Sequence, residues 1–193
     1  MKANMHNEMT EMNEAIQQEH ESATTGQTYL LFRLAEESYA VEVGRVEEVL
    51  EYEPPTFVPR SPACLLGIVN VRGRLVPILD LRRRFGLPEH EHSGESRFIV
   101  MNLKWEGDDV SLGVLADAVE GVADLPDEAL APPPKVGRAV ESEFLKSVAR
   151  HKDRILLLMD VDRLLTPEYL HQRFAELTVG AQPHAAGHAA QQE

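Results

Sequence analysis

Arginine is the residue type whose spacing in this chain most clearly suggests chemistry. Arg72 and Arg74 flank a glycine within the apolar stretch GIVNVRGRLVPILDL (67–81), and three more arginines follow at 82–84. A guanidinium group binds carboxylates and phosphates through paired hydrogen bonds. Because the formal net charge is -13, nucleic acid and anionic membrane are repelled on average. We therefore predict that these arginines form a solvated surface or local ion pairs at a protein interface.

Histidines and carboxylates form two further candidate sites. The cluster 90–92 (His-Glu-His), with Glu89 and Glu95 nearby, could chelate a metal, but no predicted element would hold these ligands rigidly. Asp160 and Asp162 could form a catalytic or metal-binding pair, although acids after a strand more often cap the next turn. Phosphate-binding glycine loops, nucleophile elbows and zinc-protease motifs are absent. We predict no catalytic residue, metal site or cofactor, and no enzymatic activity.

Composition favours a soluble cytoplasmic protein. Cys64 is the single cysteine, which excludes internal disulfides and cysteine-based zinc sites. The amino terminus is polar and acidic and lacks the apolar core of a signal peptide. The longest apolar run, 155–159, is far too short to cross a bilayer, so we predict no membrane insertion.

The elements that must position these residues are mostly short strands. Alternating apolar residues predict strands on both sides of a turn at 36–38, and the spacing of Val43, Val46 and Leu50 predicts a short helix over 43–50. The stretch 67–81 predicts a hairpin, followed by a helix over 81–85 that Asp80 caps and Gly86 ends. Further strands are predicted at 98–105, 110–114 and 155–159, and a terminal helix opens at 166. Many short strands separated by turns indicate a β-barrel or sandwich.

Three segments follow from the composition. Residues 1–27 are an acidic amino-terminal segment, 28–178 form the folded domain, and 179–193 are a disordered tail rich in Ala, His and Gln. Within the first segment, apolar residues recur at helical spacing, so it is either a frayed solvated tail or a small partner-binding helix. The residues concerned are Met5, Met9, Met12 and Ile16.

The string VEVGRVEEVLEYEPPTFVPRSPACLLGIVNVRGRLVPILDLRRRFGL resembles the CheW-type coupling proteins of bacterial chemosensory arrays. The resemblance continues through FRLAEESYAVEV, GVLADAVEGVADL and DRILLLMDVDRLL, and covers roughly 28–178. It implies a mainly β fold, with two SH3-like five-stranded β-barrels packed around a shared apolar core, short helices and a carboxy-terminal helix.

The resemblance also implies a role without catalysis. Such proteins are scaffolds or adaptors that couple the cytoplasmic tips of chemoreceptors to the regulatory domain of the histidine kinase CheA. They work in the cytoplasm, associated with membrane-bound receptor arrays through protein contacts, and other CheW-like domains in array rings are further expected partners. The output could be flagellar chemotaxis or a non-flagellar pathway such as twitching or gliding.

Site residues follow from the same resemblance. Glu48, on the predicted short helix, and Arg72, on the hairpin, are expected to form a surface ion pair that serves receptor signalling. Val43 and Val46 are expected to line the receptor groove, with packing in the core as the alternative. Gly67 and Gly73 are expected to permit close approach of CheA, with a turn-shaping role as the alternative. Arg74 and the arginines at 82–84 match no required charge and are expected to tolerate alanine.

Two functions of other classes remain open from the residues alone. A nucleic-acid-binding SH3-like barrel would bind an oligonucleotide in a salt-sensitive way, which the net charge disfavours. An unrecognised enzyme would show a deep pocket with converging, perturbed ionisable groups.

Overall fold

The computed structural model describes residues 13, 27–89, 91–105, 107–133 and 144–164. Eleven strands dominate this part of the chain. They are β1 (Gln27–Leu34), β2 (Glu37–Glu42), β3 (Val46–Glu51), β4 (Leu65–Val71), β5 (Arg74–Asp80), β6 (Arg97–Trp105), β7 (Asp108–Ala116), β8 (Ala118–Leu125), β9 (Leu130–Ala131), β10 (Leu145–His151) and β11 (Arg154–Met159). One α-helix, α1 (Leu81–Phe85), and 3-10 turns at Val43–Arg45, Asp127–Ala129 and Val161–Arg163 complete the described elements.

The strands form two sheets. The first has the order β8-β1-β2-β11-β10-β9, and the second has the order β3-β6-β7-β5-β4. Most neighbours are antiparallel, while β2 with β11 and β5 with β7 are parallel. The first sheet thus has six strands where five were predicted, because the two-residue β9 adds to its edge.

Alternation along the strands builds three apolar clusters. In β1, Leu30 and Phe32 enter a large cluster that also contains Ile99 from the second sheet, whereas Tyr29 and Leu31 face a cluster drawn from the first sheet alone. A third cluster lies within the second sheet. Each sheet therefore curls around its own core and shares a larger core with the other, which confirms the prediction of two SH3-like barrels around a common apolar core.

The helix predicted over 43–50 is wrong. Only Val43–Arg45 is helical, as a single 3-10 turn, and the chain then continues as β3. A bulge between Val46 and Glu48 shifts the register against β6, so Val46 and Val49, three apart, both face the shared core. A spacing of three is typical of a helix. The β-branched valines and the pairing with β6 nevertheless favour a strand.

Local signals elsewhere predicted the elements correctly. The hairpin, the helix α1 and the strands at 98–105, 110–114 and 155–159 are present, several with longer bounds. The Asp80 carboxylate accepts a hydrogen bond from the Arg83 N–H, and Gly86 ends α1 with a φ of 67°. Strands β8, β9 and β10 were not predicted. The terminal helix from 166, the amino-terminal apolar spacing and the tail lie outside the described residues.

Asp117 lies where the two sheets meet. It stands between β7 of the second sheet and β8 of the first, and its Oδ2 accepts the N–H of Ala35 in the β1–β2 turn at 2.6 Å. The same carboxylate receives Arg82 of α1, through Nε at 2.8 Å to Oδ1. The acid therefore connects a turn of one sheet to the helix that follows the hairpin of the other.

Candidate functional site

The hairpin tip is a two-residue turn made by Arg72 and Gly73. Both residues have positive φ, 51° and 85°, as a type I′ turn requires. The side chain of Asn70 accepts the N–H of Gly73 at 2.8 Å, and Val71 pairs with Arg74 at the base of the turn. These contacts direct two arginines away from the core at one end of the second sheet.

Both hairpin arginines bind acids on β3. The Arg72 Nη2 lies 2.9 Å from the Glu48 Oε1, and the Arg74 Nη2 lies 2.6 Å from the Glu47 Oε2. The Ser111 hydroxyl donates to Glu47 at 2.8 Å and accepts from Arg74 at 2.8 Å. Because β3 and β4 are opposite edges of the second sheet, these pairs join the hairpin to the far edge across the curled sheet. The predicted pair of Glu48 with Arg72 is therefore present, with Glu48 on a strand rather than a helix.

Exposure limits what the Glu48–Arg72 pair can do for stability. The Arg72 side chain is 70% exposed and the Glu48 side chain 18% exposed. Ion pairs in water contribute about 0.2–1 kcal/mol to folding. The pair is better suited to fixing the position of the hairpin tip than to holding the fold together.

The arginines of α1 have three different environments. Arg82 and Asp117 are only 12% and 13% exposed, and Arg82 also donates through Nη1 to the Pro88 carbonyl at 2.8 Å. The hydrogen bonds to Asp117 raise the pKa of Arg82 above its ordinary value. Arg83 is 42% exposed beside Asp80, and the Arg84 guanidinium lies 4.9 Å from the centre of the Phe144 ring. The expectation that Arg82 tolerates alanine stays a prediction, and the pair with Asp117 argues against it, because truncation would remove the cation that faces a mostly buried carboxylate.

The two glycines of the hairpin have different surroundings. Gly67 has a φ of 149°, and a Cβ there would lie 2.8 Å from the carbonyl carbon of Thr56. Thr56 pairs with Ile68 through hydrogen bonds of 2.9 Å in both directions, so Gly67 lets an internal loop approach β4. Gly73 has open space around its Cα. The kinase-binding role of both glycines stays a prediction.

Val43 and Val46 are both buried in the shared core. The sequence left two roles open for these valines, lining the receptor groove or packing in the core. Their burial agrees with packing in the core. Val46 is the first residue of β3 and directly precedes Glu47 and Glu48, whereas Val43 opens the 3-10 turn before it. Their role in receptor binding stays a prediction.

Exposed apolar residues near the hairpin were missed by sequence reasoning. Leu75, next to Arg74 in β5, is 62% exposed, and Phe57, next to Thr56, is 71% exposed. The alternation of β5 could have revealed Leu75, because its neighbour Val76 is buried. The sequence gives less indication that Phe57 is exposed, because this residue lies in a proline-rich loop without alternation of apolar and polar residues.

The metal and catalytic candidates do not assemble in the described residues. Within 27–89, 91–105, 107–133 and 144–164, no group of three potential ligands could hold a metal. The His92 ring packs 4.3 Å from the Tyr52 ring, and His90 lies outside the described residues. Asp160 binds Arg163 at 3.1 Å, while Asp162 accepts the Lys104 N–H at 2.8 Å and also binds Arg45. Asp160 stands at the N-cap position of the 3-10 turn Val161–Arg163, but its side chain makes no capping hydrogen bond, so the predicted cap is wrong. The two acids instead hold the turn through ion pairs and the hydrogen bond from the Lys104 N–H.

Three other ionisable groups have a raised pKa, each with a structural cause. Burial raises the pKa of the Cys64 thiol, and burial, with the charge of Glu42, raises that of Tyr29. A hydrogen bond to Glu42 raises the pKa of Lys146. Lys146 and Glu42 line a depression of about 230 Å³ in which they are already paired with each other. None of the helices in the described residues is long and apolar enough to cross a membrane.

Comparison with known proteins places this geometry in a family. Residues 28–168 match the model of the CheW-like domain. The chemotaxis protein CheW of Klebsiella aerogenes is 32% identical over 145 residues, which is 75% of this chain and 85% of that protein. Protein FrzA of Myxococcus xanthus is 31% identical over 140 residues, covering 72% of this chain and 85% of FrzA.

A solved structure agrees with the sequence comparison. The scaffolding protein TtCheW from Thermoanaerobacter tengcongensis superimposes with a TM-score of 0.67 at 28% identity, covering 75% of this chain and 95% of that one. The match of the domain model extends over most of the chain and includes both barrels, the hairpin and β3. The chain therefore belongs to the CheW-like domain family.

Proposed function

We propose that this protein is a non-catalytic adaptor that couples chemoreceptors to the histidine kinase CheA in a bacterial chemosensory array. Its membership of the CheW-like family is the observation that carries the proposal. Relatives named as chemotaxis proteins and a relative described as a scaffolding protein support it. The protein would act in the cytoplasm, joined to membrane-bound receptor arrays by contacts with its partners.

The receptor tip and the regulatory domain of CheA are the proposed partners. The receptor would bind beside Glu48 and Arg72, where β3 and the hairpin tip meet. Val43 and Val46 would support this surface from the core beneath it. The kinase would approach the hairpin backbone near Gly73, which has open space around it. Other CheW-like domains are further proposed partners in array rings.

A second candidate function is the same adaptor role in a non-flagellar pathway. The similarity to FrzA, 31% identical, is almost as high as the similarity to the Klebsiella protein at 32%. Deleting the gene and measuring swimming and surface motility separately would distinguish the two outputs.

The main proposal is tested by reconstituting receptor fragment, CheA and this protein, and measuring kinase phosphorylation. Glu48→Arg and Arg72→Glu should each abolish receptor control of the kinase, while the melting temperature changes little because the Arg72 side of the pair is 70% exposed. The double reversal should restore part of the control if the attraction itself matters. Wild-type control by both single variants would contradict the proposed role of the pair.

Arg74→Ala is the matched control for these reversals. It breaks an ion pair from the same hairpin to the neighbouring acid of β3, at a similar distance of 2.6 Å. If the Glu48–Arg72 pair has a specific role, Arg74→Ala retains receptor control. Equal loss in all variants would indicate that receptor control needs the ion pairs between the hairpin and β3 in general, and not the Glu48–Arg72 pair in particular.

The glycine positions separate the kinase contact from folding. Gly67→Asp would force Thr56 to move, so its effect on CheA binding would be mixed with an effect on structure. Gly73→Asn is more informative, because asparagine tolerates positive φ and nothing else lies within 4 Å. A loss of CheA affinity with an unchanged melting temperature would support the contact, and unchanged affinity would oppose it.

A further inference from the structure

Arg97 is a buried cation without an acid partner among the described residues. It opens β6 and is 8% exposed. Its Nη1 donates to the carbonyl oxygens of Gly94, at 2.7 Å, and Ser96, at 2.8 Å. Within 27–89, 91–105, 107–133 and 144–164, its side chain makes no further hydrogen bond and no ion pair. Removing a guanidinium group from water is costly when no anion compensates its charge, so this arrangement needs an explanation.

The two hydrogen bonds leave one edge of the guanidinium group unused. Nη1 carries two hydrogens, and the two carbonyl oxygens account for both. The Nε–H and the Nη2 hydrogens have no acceptor in the part of the chain that the structure describes. Neither nitrogen is among the fully buried side-chain atoms that lack a hydrogen bond, so both are in contact with solvent. The edge formed by Nε and Nη2 can bind two oxygens of a carboxylate or phosphate at once.

The fold places this edge at the end of the shared core. Side chains alternate along a strand, so Arg97 lies on the same face of β6 as Ile99 and Met101, which belong to that core. Ala116, which pairs with Arg97 on β7, is also in the shared core. Glu51 pairs with Arg97 on β3, but it is exposed and forms no ion pair with it. Apolar surroundings strengthen the attraction of a cation for an anion that reaches it.

We propose that the free edge of Arg97 is a binding site for a small oxyanion, either phosphate or a carboxylate. Two oxygens of the ligand would accept hydrogen bonds from Nε and Nη2, while Nη1 stays bound to Gly94 and Ser96. The ligand would neutralise a positive charge that no described side chain compensates. The proposal is independent of the adaptor function, because it rests on the contacts of Arg97 alone.

Three variants separate anion binding from a purely structural role in closing the loop. Arg97→Lys keeps the charge but loses the paired donors, and Arg97→Gln keeps a donor but loses the charge. Both should bind phosphate or acetate at least tenfold more weakly than the wild type. Arg33→Gln is the matched control, because Arg33 is 42% exposed and binds Glu95 of the same loop at 3.2 Å. This variant should bind the anion as the wild type does.

Titration of the full-length protein with phosphate or acetate, at constant ionic strength and with chloride as the reference, measures the binding. The NMR signal of the Arg97 Nε–H should move in a saturable way. At ten times the Kd, the melting temperature should exceed that in chloride by about 3–6 °C. Because the net charge is -13, general attraction of anions is unfavourable, and a saturable response indicates a local site. Tighter binding of phosphate than of acetate would assign a phosphate ligand, and the reverse a carboxylate.

Two results would overturn the proposal. The first is an Arg97 Nε–H signal of the wild type that responds to neither anion. This measurement needs no variant, so it remains decisive if the Arg97 variants do not fold. The second is equal stabilisation of the wild type and Arg97→Gln by phosphate and by acetate, which would show a general effect of the salts. Arg97 would then only hold the loop through Gly94 and Ser96.

Discussion

Replacing Arg82 with alanine should lower the free energy of unfolding by about 3 kcal/mol. Arg82 and Asp117 are 12% and 13% exposed, so water screens their attraction little. The Arg82 Nε lies 2.8 Å and 3.1 Å from the two Asp117 oxygens, and Nη1 binds the Pro88 carbonyl at 2.8 Å. Truncation removes these bonds, while the carboxylate keeps the hydrogen bond from the Ala35 N–H.

Urea and thermal denaturation measure the effect. For a protein of this size, a loss of about 3 kcal/mol corresponds to a fall of roughly 6–12 °C in melting temperature. Arg83→Ala is the matched control, because Arg83 is one residue away in α1 but 42% exposed, and its change should cost less than about 1 kcal/mol.

A double variant distinguishes lost attraction from a stranded charge. Arg82→Met with Asp117→Asn removes both charges, and the asparagine can still accept the Ala35 N–H. It should recover more than half of the stability that Arg82→Ala loses, because a mostly buried carboxylate without its cation is the main cost. If Arg82→Ala and Arg83→Ala are equally stable, the ion pair does not hold the sheets together and the reasoning fails.

Three further predictions concern the hairpin and the core. Gly67→Ala should destabilise the protein by about 1–3 kcal/mol in urea denaturation, because its Cβ clashes with the neighbouring loop, whereas Gly44→Ala meets no atom within 4 Å and should be nearly neutral. Arg72→Glu should lower the free energy of unfolding by no more than about 1 kcal/mol, measured in low salt, and a larger loss would mean that the pair with Glu48 is structural. Burial raises the pKa of Cys64 above its ordinary 9.0, so the stability it contributes is complete below pH 9.0 and is lost as pH rises through the folded value. In Cys64→Ala, the urea midpoint of unfolding should therefore fall less steeply as the pH rises above 9.0. A midpoint that falls with pH as steeply as in the wild type would contradict this prediction.

Elements specified by neighbouring residues were predictable. Arg72 and Gly73 at the centre of two apolar runs indicated a hairpin, and both adopt the positive φ that its turn needs. Asp80 and Gly86 marked the ends of α1 correctly. In each case the hydrogen bonds that fix the structure join residues close in sequence, so their pattern is visible without a partner strand.

Spacing misled where a distant strand decided the structure. The residues from Val43 onward have helical spacing, but pairing with β6 and a bulge at Val46 convert them into a strand. A bulge changes which residues face the core, and the amino-acid composition of the strand does not indicate where a bulge lies. The unpredicted β8 and β10 likewise depend on neighbours in the first sheet, such as β1 for β8.

The sequence by itself determined the family, the two-barrel fold and the hairpin with its arginines, because long motifs and local turn chemistry record them. Tertiary structure decided what each arginine binds: Arg72 pairs with an acid 24 residues away, and Arg82 pairs with one 35 residues away. It also decided that Asn13 meets the edge of β3, a contact across 36 residues. Such contacts depend on how the chain brings distant strands together, and a charge or carboxamide in the sequence does not specify its partner.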